Sequence, residues 1–183
     1  VYLPDGVASA AKPLCSGDEV REAPDTTAYD AVVVVDAPSW ERIDPFSQPS
    51  HDVSTVLIDH HTTGTIYADA DAAVVDTDAG ATAELVYAVM TSAEWTIDAE
   101  TAVRLLAGVL DDTEFLQDAR TETIERAVEL FKRIGGMEST LASLFEGESP
   151  AGERMARVKG VNRANIFAAD SWSIATTRIG AHE

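Results

Sequence analysis

Two short apolar runs, each stopping on an acid, constrain this chain more than any other feature. Ala31-Val32-Val33-Val34-Val35 is unbroken and β-branched and runs into Asp36. Ser54-Thr55-Val56-Leu57-Ile58 runs into Asp59-His60-His61 and a turn-like Thr62-Thr63-Gly64. Continuous runs of this kind read as strands of a parallel sheet covered on both faces, and only a short crossover separates the two. The expectation is therefore an α/β fold with a mostly parallel sheet flanked by helices, in which 31–36 is a central strand buried on both sides. Sheets of this type bind ligands outside the carboxyl ends of their strands. Asp36, Asp59, His60 and His61 all fall there.

The remaining chain supplies helices and turns in a compatible order. Val1-Tyr2-Leu3 reads as a strand end, Pro4-Asp5-Gly6 as a turn, 7–14 as a short Ala-rich helix and 16–29 as polar and irregular. After a turn and short helix over 37–43 and a loop over 44–50, Ala73-Val74-Val75-Asp76 is a further short strand. Gly80 opens a helix through Ala83, Leu85, Val86 and Val89. Asp98 caps another from Ala99 to about Leu110, with Val103, Leu106, Ala107 and Leu110 on one face, broken by Asp111-Asp112-Thr113. Thr121 to Ile134 is amphipathic through Ile124, Val128, Leu130, Phe131 and Ile134, and Gly135-Gly136 closes it. A shorter helix spans 137–145, and Ser149-Pro150 starts one reaching Arg163. The alternation in 166–169 and 172–177 predicts an antiparallel hairpin, so a second module should begin near 164, giving domains 1–163 and 164–183. Trp40, Trp95 and Trp172 are too dispersed for base stacking and read as packing residues.

Charge narrows the setting. Thirty-two acidic residues face thirteen basic ones, for a net charge of −19, and Lys12, Lys132 and Lys159 are the only lysines. The acids are dispersed through apolar-containing segments, which points to a protein working in concentrated salt, the interior of a salt-loving cell. A broad basic face for long nucleic acid is excluded. No apolar run approaches a membrane span, no signal segment is recognisable, and the single Cys15 rules out an internal disulfide framework, so a reducing cytoplasm is expected.

Three polar stretches, around Asp36, Asp59-His60-His61 and Asp111-Asp112-Thr113, are separated in sequence yet chemically alike. A carboxylate that bridges two ions, an imidazole and further carboxylates are what a two-metal hydrolytic site requires. Ions about 3.5–4 Å apart clamp both oxygens of a phosphoryl transfer and acidify a bound water. Oxygen ligands with one imidazole favour Mn²⁺ or Mg²⁺ over tetrahedral zinc. The competing reading is a polar loop that happens to hold two histidines. Asp111 reads as a solvated helix-end acid, and His51 and His182 as surface residues. Gly80-Ala81-Thr82 offers backbone N–H groups to a phosphate, or merely an ordinary helix cap.

In order, these stretches resemble the DHH phosphoesterase superfamily, which includes RecJ-type exonucleases, oligoribonuclease/phosphoadenosine-phosphate phosphatases and family II pyrophosphatases. The likeness covers roughly residues 31 to 135. Val32 to Asp36 resembles the second motif and Leu57-Ile58-Asp59-His60-His61 the name-giving third. Gly80 to Leu85 is similar to the helix opening that follows, Ala107 to Thr113 to the fourth motif, and Thr121-Glu122-Thr123 to the next helix start. The resemblance implies that Asp36 bridges two ions (Mn²⁺ or Mg²⁺), that His60 and Asp112 are metal ligands, and that His61 faces the substrate phosphate. It also implies that Asp59 orients the site and Thr82 contacts substrate. The first motif is not recognisable in full: Asp5 lies only about thirty residues before Asp36, and that motif is expected upstream of Val1. The strands from Ile166 resemble the start of the family's C-terminal substrate-binding domain. The implied function is a phosphoesterase acting on a nucleotide or short single-stranded oligonucleotide, with no membrane partner and a homodimer left open. Pyrophosphate hydrolysis or a non-catalytic nucleotide-binding role are the alternatives.

Overall fold

The two apolar runs pair in parallel. Strand β1 (Ala31–Val35) lies beside β2 (Ser54–Asp59) from Ala31 opposite Ser54 to Val35 opposite Ile58, and β3 (Ala72–Val75) pairs in parallel on the other side of β2. The order β1-β2-β3 makes β2 central. The computed structural model describes residues 1–3, 7, 11–15, 28–44, 52–117, 119–145, 165–169 and 172–176. The turn at 4–6 with Asp5, His51, the helix expected over 149–163 and His182 lie outside the described residues. Of the helix expected over 7–14, the described part is a 3-10 turn, Lys12–Leu14.

The α/β class is as expected, but β1 is not a strand buried on both faces. One face carries Val34, which packs with Leu57, Ala37 and Ile66 and is backed by Trp40 and Ile43. On the other face Val33 is 57% exposed and Val35 also stays open. Helix α2 (Thr82–Ser92) covers that side of the sheet over Ile58, through Leu85, Val86 and Val89. Among the described residues β1 is therefore an edge strand. A continuous β-branched run reports strand propensity, and neighbours decide whether both faces are covered.

Beyond the sheet, helices α3 (Ala99–Asp112), α4 (Thr121–Arg133) and α5 (Glu138–Phe145) build a second core with α2 around Val103, Leu106, Val109, Leu130 and Ile134. Full burial of each such side chain stabilises by about 1.5–3 kcal/mol. Asp98 caps α3 by accepting from the Thr101 N–H at 2.8 Å, which also holds its carboxyl below the usual range. Helix α3 does not stop before Asp111. It runs through Asp112 and is capped at Thr113, whose hydroxyl bonds back to Val109 O. The buried face of α4 is Thr123, Ala127, Leu130 and Ile134, whereas Ile124, Val128 and Phe131 face solvent. The apolar residues of α4 thus cover a wider arc than its neighbours bury. Trp95, expected as a packing residue, is 62% exposed.

One buried charge ties these layers together. Glu84 on α2 is wholly buried and accepts from Gly80 N (2.9 Å), Thr123 Oγ1 (2.8 Å) and Arg126 Nη1 (2.7 Å). Gly80 is boxed in: a Cβ there would lie 3.0 Å from Thr113 Cγ2 and 3.1 Å from Glu84 Oε1. The chain divides into two compact units, Val1–Phe145 and Glu146–Glu183. In the second, β4 (Asn165–Ala169) and β5 (Trp172–Thr176) form the antiparallel hairpin predicted from alternation.

Removing one partner of a buried ion pair strands the other charge, at a cost of about 3–5 kcal/mol. Arg126→Ala is expected to lower unfolding free energy in urea by about 3 kcal/mol. Glu100→Ala, which breaks the exposed Glu100–Arg104 pair, should cost no more than about 0.5 kcal/mol. Equal effects would show that the Glu84 pair does not carry the helical layer.

Candidate metal centre

Each strand of the parallel sheet runs into a carboxylate, Asp36 after β1, Asp59 as the last residue of β2 and Asp76 after β3. The first two point their chemistry at one place. Asp36 stays in the ladder, its N–H donating to Ile58 O at 3.1 Å, yet its φ is +59°. Left-handed backbone is uncommon for a residue with a Cβ, although Asp tolerates it better than most, and such strain gathers at functional sites. The twist turns the carboxylate towards the loop after β2. There Asp36 Oδ1 accepts from Thr82 Oγ1 at 2.7 Å and lies 3.7 Å from His60 Nε2 and 4.0 Å from His61 Nδ1.

The two histidines are held differently. His60 Nδ1 sits 3.2 Å from Ala79 O, a carbonyl that only accepts, so Nδ1 carries the proton and the Nε2 lone pair faces Asp36. That arrangement, an outward N–H anchored on a carbonyl with the second nitrogen free, is how metal-ligating histidines are oriented. His61 Nδ1 donates to Asp59 Oδ1 at 2.6 Å, and the same oxygen accepts the His61 N–H at 3.3 Å. Asp59 is almost wholly buried, so it fixes the ring from beneath. The imidazoles meet edge to face, centroids 4.8 Å apart.

Asp36, His60 and His61 each offer a ligand atom within 4.8 Å of the others, a group able to hold a metal ion. Asp36 Oδ1 and the lone pair of His60 are both acceptors, and a cation satisfies both. Asp112, at the end of α3, belongs to the same field. Its carboxyl is pushed above its ordinary value by desolvation and then by the Asp36 charge, with Asp111 adding to the rise and His60 and His61 partly offsetting it. Asp111 is exposed, as expected of a solvated helix-end acid.

Thr82 is nearly buried, and its hydroxyl is engaged with Asp36. Its side chain thus backs the carboxylate, a role not foreseen for a substrate contact. The residues that sequence reasoning passed over are Glu84, Thr123 and Arg126. They stand in stretches already singled out, but 39 and 42 positions separate the partners. No local pattern signals such a pairing. Through Gly80 N, Glu84 fixes the loop whose Ala79 carbonyl anchors His60.

Comparison with known proteins bears on this geometry. The family described as "DHH family, N-terminal domain" matches residues 2–109. An uncharacterized protein of Methanocaldococcus jannaschii is 24% identical over 170 residues, 91% of this chain and 51% of its own length. The crystal structure of an exopolyphosphatase-related protein from Bacteroides fragilis superposes with a TM-score of 0.73 at 15% identity, over 91% of this chain and 52% of that one. The second likeness is one of fold. The chain spans about half the length of both proteins.

The raised carboxyl of Asp112 gives a signed expectation. In the folded state it holds its proton more tightly than in the unfolded state, so ionising it opposes folding at neutral pH. Below its ordinary value of 3.8 both states are protonated and the penalty is gone. In metal-free protein Asp112→Asn should therefore raise the thermal midpoint at pH 7, and the gain should shrink as pH falls towards 3.8. A lowered midpoint at pH 7, the signature of a favourably paired carboxylate, would contradict the like-charge field.

Proposed function

The chain is a member of the DHH family, and on that premise we propose that it supplies the metal-binding half of a phosphoesterase. The reaction is hydrolysis of a phosphodiester or phosphomonoester in a nucleotide or short single-stranded oligonucleotide. The supporting observation is the facing pair of acceptors, Asp36 Oδ1 and His60 Nε2, 3.7 Å apart at the ends of adjacent parallel strands.

Asp36, His60 and Asp112 are the residues that would hold Mn²⁺ or Mg²⁺, and in this reading Asp36 would serve both ions. Such ions neutralise charge on a phosphoryl group and acidify water. The chain's own groups do the rest. Thr82 holds the Asp36 carboxylate through Oδ1, the oxygen that faces His60, and the Ala79 carbonyl fixes the His60 tautomer. His61, pinned through Nδ1 to the buried Asp59, keeps Nε2 available to donate to a phosphoryl oxygen. In this reading His61 meets that oxygen as hydrogen-bond donor or acid.

In the same reading residues 1–163 belong to the phosphoesterase domain, and the hairpin within 164–183 begins a substrate-binding domain. The lone Cys15 suits a cytoplasmic setting, and no helix among the described residues is long and apolar enough to cross a membrane. A phosphoanhydride substrate is the second reading, favoured by the likeness to an exopolyphosphatase-related fold.

The test is hydrolysis of bis(p-nitrophenyl) phosphate by the full-length protein with added Mn²⁺. Outer-shell partners of a metal site typically cost 10–100-fold, so Asp36→Asn and His60→Ala should each lose at least about 100-fold, and Thr82→Val about tenfold. Nucleotide binding without turnover under any divalent ion would instead establish the non-catalytic role.

A further inference from the structure

A cavity of about 200 Å³ is lined by Asp59 and His61 but not by Asp36. Besides these two residues of the candidate metal centre, Leu57 of β2, Val75 of β3 and Pro38 from the loop after β1 line it. Four hydroxyls, of Thr62, Thr63, Tyr67 and Thr77, complete the lining. No lysine or arginine among the described residues lines it, and its only carboxylate is Asp59.

We propose that this cavity is the subsite for the neutral organic group of the substrate, a nucleoside ring, and that it does not take a second phosphoryl group. The inference rests on the phosphoester reading above and specifies which side of the cleaved bond lies there. A phosphate in this cavity would meet no lysine or arginine among the described residues and would sit beside a buried carboxylate in a chain of net charge −19. Transfer of an anion from water without a paired charge is strongly unfavourable. A nucleoside has the opposite needs. Its ring faces are apolar, and its ribose and base edges exchange hydrogen bonds with hydroxyls. The volume, roughly that of six or seven liquid waters, accommodates one ring system.

The cavity is also built in advance. Thr65 N and Ile66 N both donate to Pro38 O, at 2.9 and 3.1 Å, clamping the loop after β1 to the loop after β2. Gly64 allows this approach, since a Cβ there would lie 2.3 Å from the same oxygen. Helix α1 (Ile66–Asp69) is anchored by the wholly buried Ile66 and by Trp40 Nε1 donating to Asp69 at 2.9 Å. Between these anchors Tyr67 is 64% exposed and lines the cavity. An aromatic ring held on a fixed helix beside a phosphate-facing histidine is a stacking surface, which accepts any base because every base has a π-face.

The test uses the full-length protein with Tyr67→Ala, which removes the ring, and Thr77→Phe, which fills the cavity from an exposed position. Adenosine and tripolyphosphate are the probes, one lacking phosphate and the other lacking an organic group. Calorimetric titration should show adenosine binding weakened by about tenfold or more in both variants, with tripolyphosphate affinity unchanged. For a dinucleotide the same variants should raise KM by about tenfold and leave kcat within about twofold, because the loss is one of binding shared by ground and transition states. Adenosine affinity unaltered by both changes, no adenosine binding by the unmodified protein, or loss of tripolyphosphate binding in Thr77→Phe would each overturn the proposal. Variant-sensitive adenosine binding in a protein that hydrolyses nothing would support the subsite and count against the phosphoesterase reading alone.

Discussion

The geometry at the carboxyl ends of the strands depends on a carboxylate that never touches it. Glu84 has no solvent exposure, and an unpaired charge in that position would be expelled or protonated. Three donors from three places keep it there: the Gly80 amide, the Thr123 hydroxyl and the Arg126 guanidinium. Each bond fixes something different. Gly80 precedes α2 and follows the Ala79 carbonyl that orients His60, whereas Thr123 and Arg126 are one turn apart on α4. Thr113, next to Asp112, packs against Gly80 so closely that no side chain fits between them. The β2 loop, the start of α2 and the end of α3 therefore share one point of registration.

Within that frame the two histidines of the name-giving motif divide their labour through what each one's Nδ1 touches. A backbone carbonyl takes Nδ1 of His60 and turns its Nε2 towards Asp36. A buried carboxylate takes Nδ1 of His61 and holds that ring from beneath. Adjacent residues of identical chemistry are thus held by different partners, because β-strand alternation ends at Asp59 and sends the following side chains to different neighbours.

The parallel pairing, the Asp98 cap and the hairpin were legible because each rests on local chemistry: β-branched runs, a carboxylate at a helix start, alternation. The approach of Asp36 to His60 was legible for a topological reason, since parallel neighbours bring their carboxyl ends to one edge, whereas the third residue of the group is His61 and not the expected Asp112. Three things were not. The exposure of Val33 and Val35 depends on what lies beside β1, which its own residues do not encode. The apolar stripe of Ile124, Val128 and Phe131 follows helical spacing faithfully but faces away from the core. Glu84 looks like any helix-surface acid until α4 supplies Arg126 from 42 residues away.

The left-handed backbone at Asp36 sets two demands against each other. Glycine enters that region of φ at little steric cost, so on conformational grounds alone it is the better occupant of position 36. Glycine would also delete the one side chain that links the ends of both strands with Thr82. A search for thermal robustness, blind to chemistry, would drift towards removing this carboxylate. The residue that most strains the sheet is the one by which loss of the candidate site could masquerade as improvement.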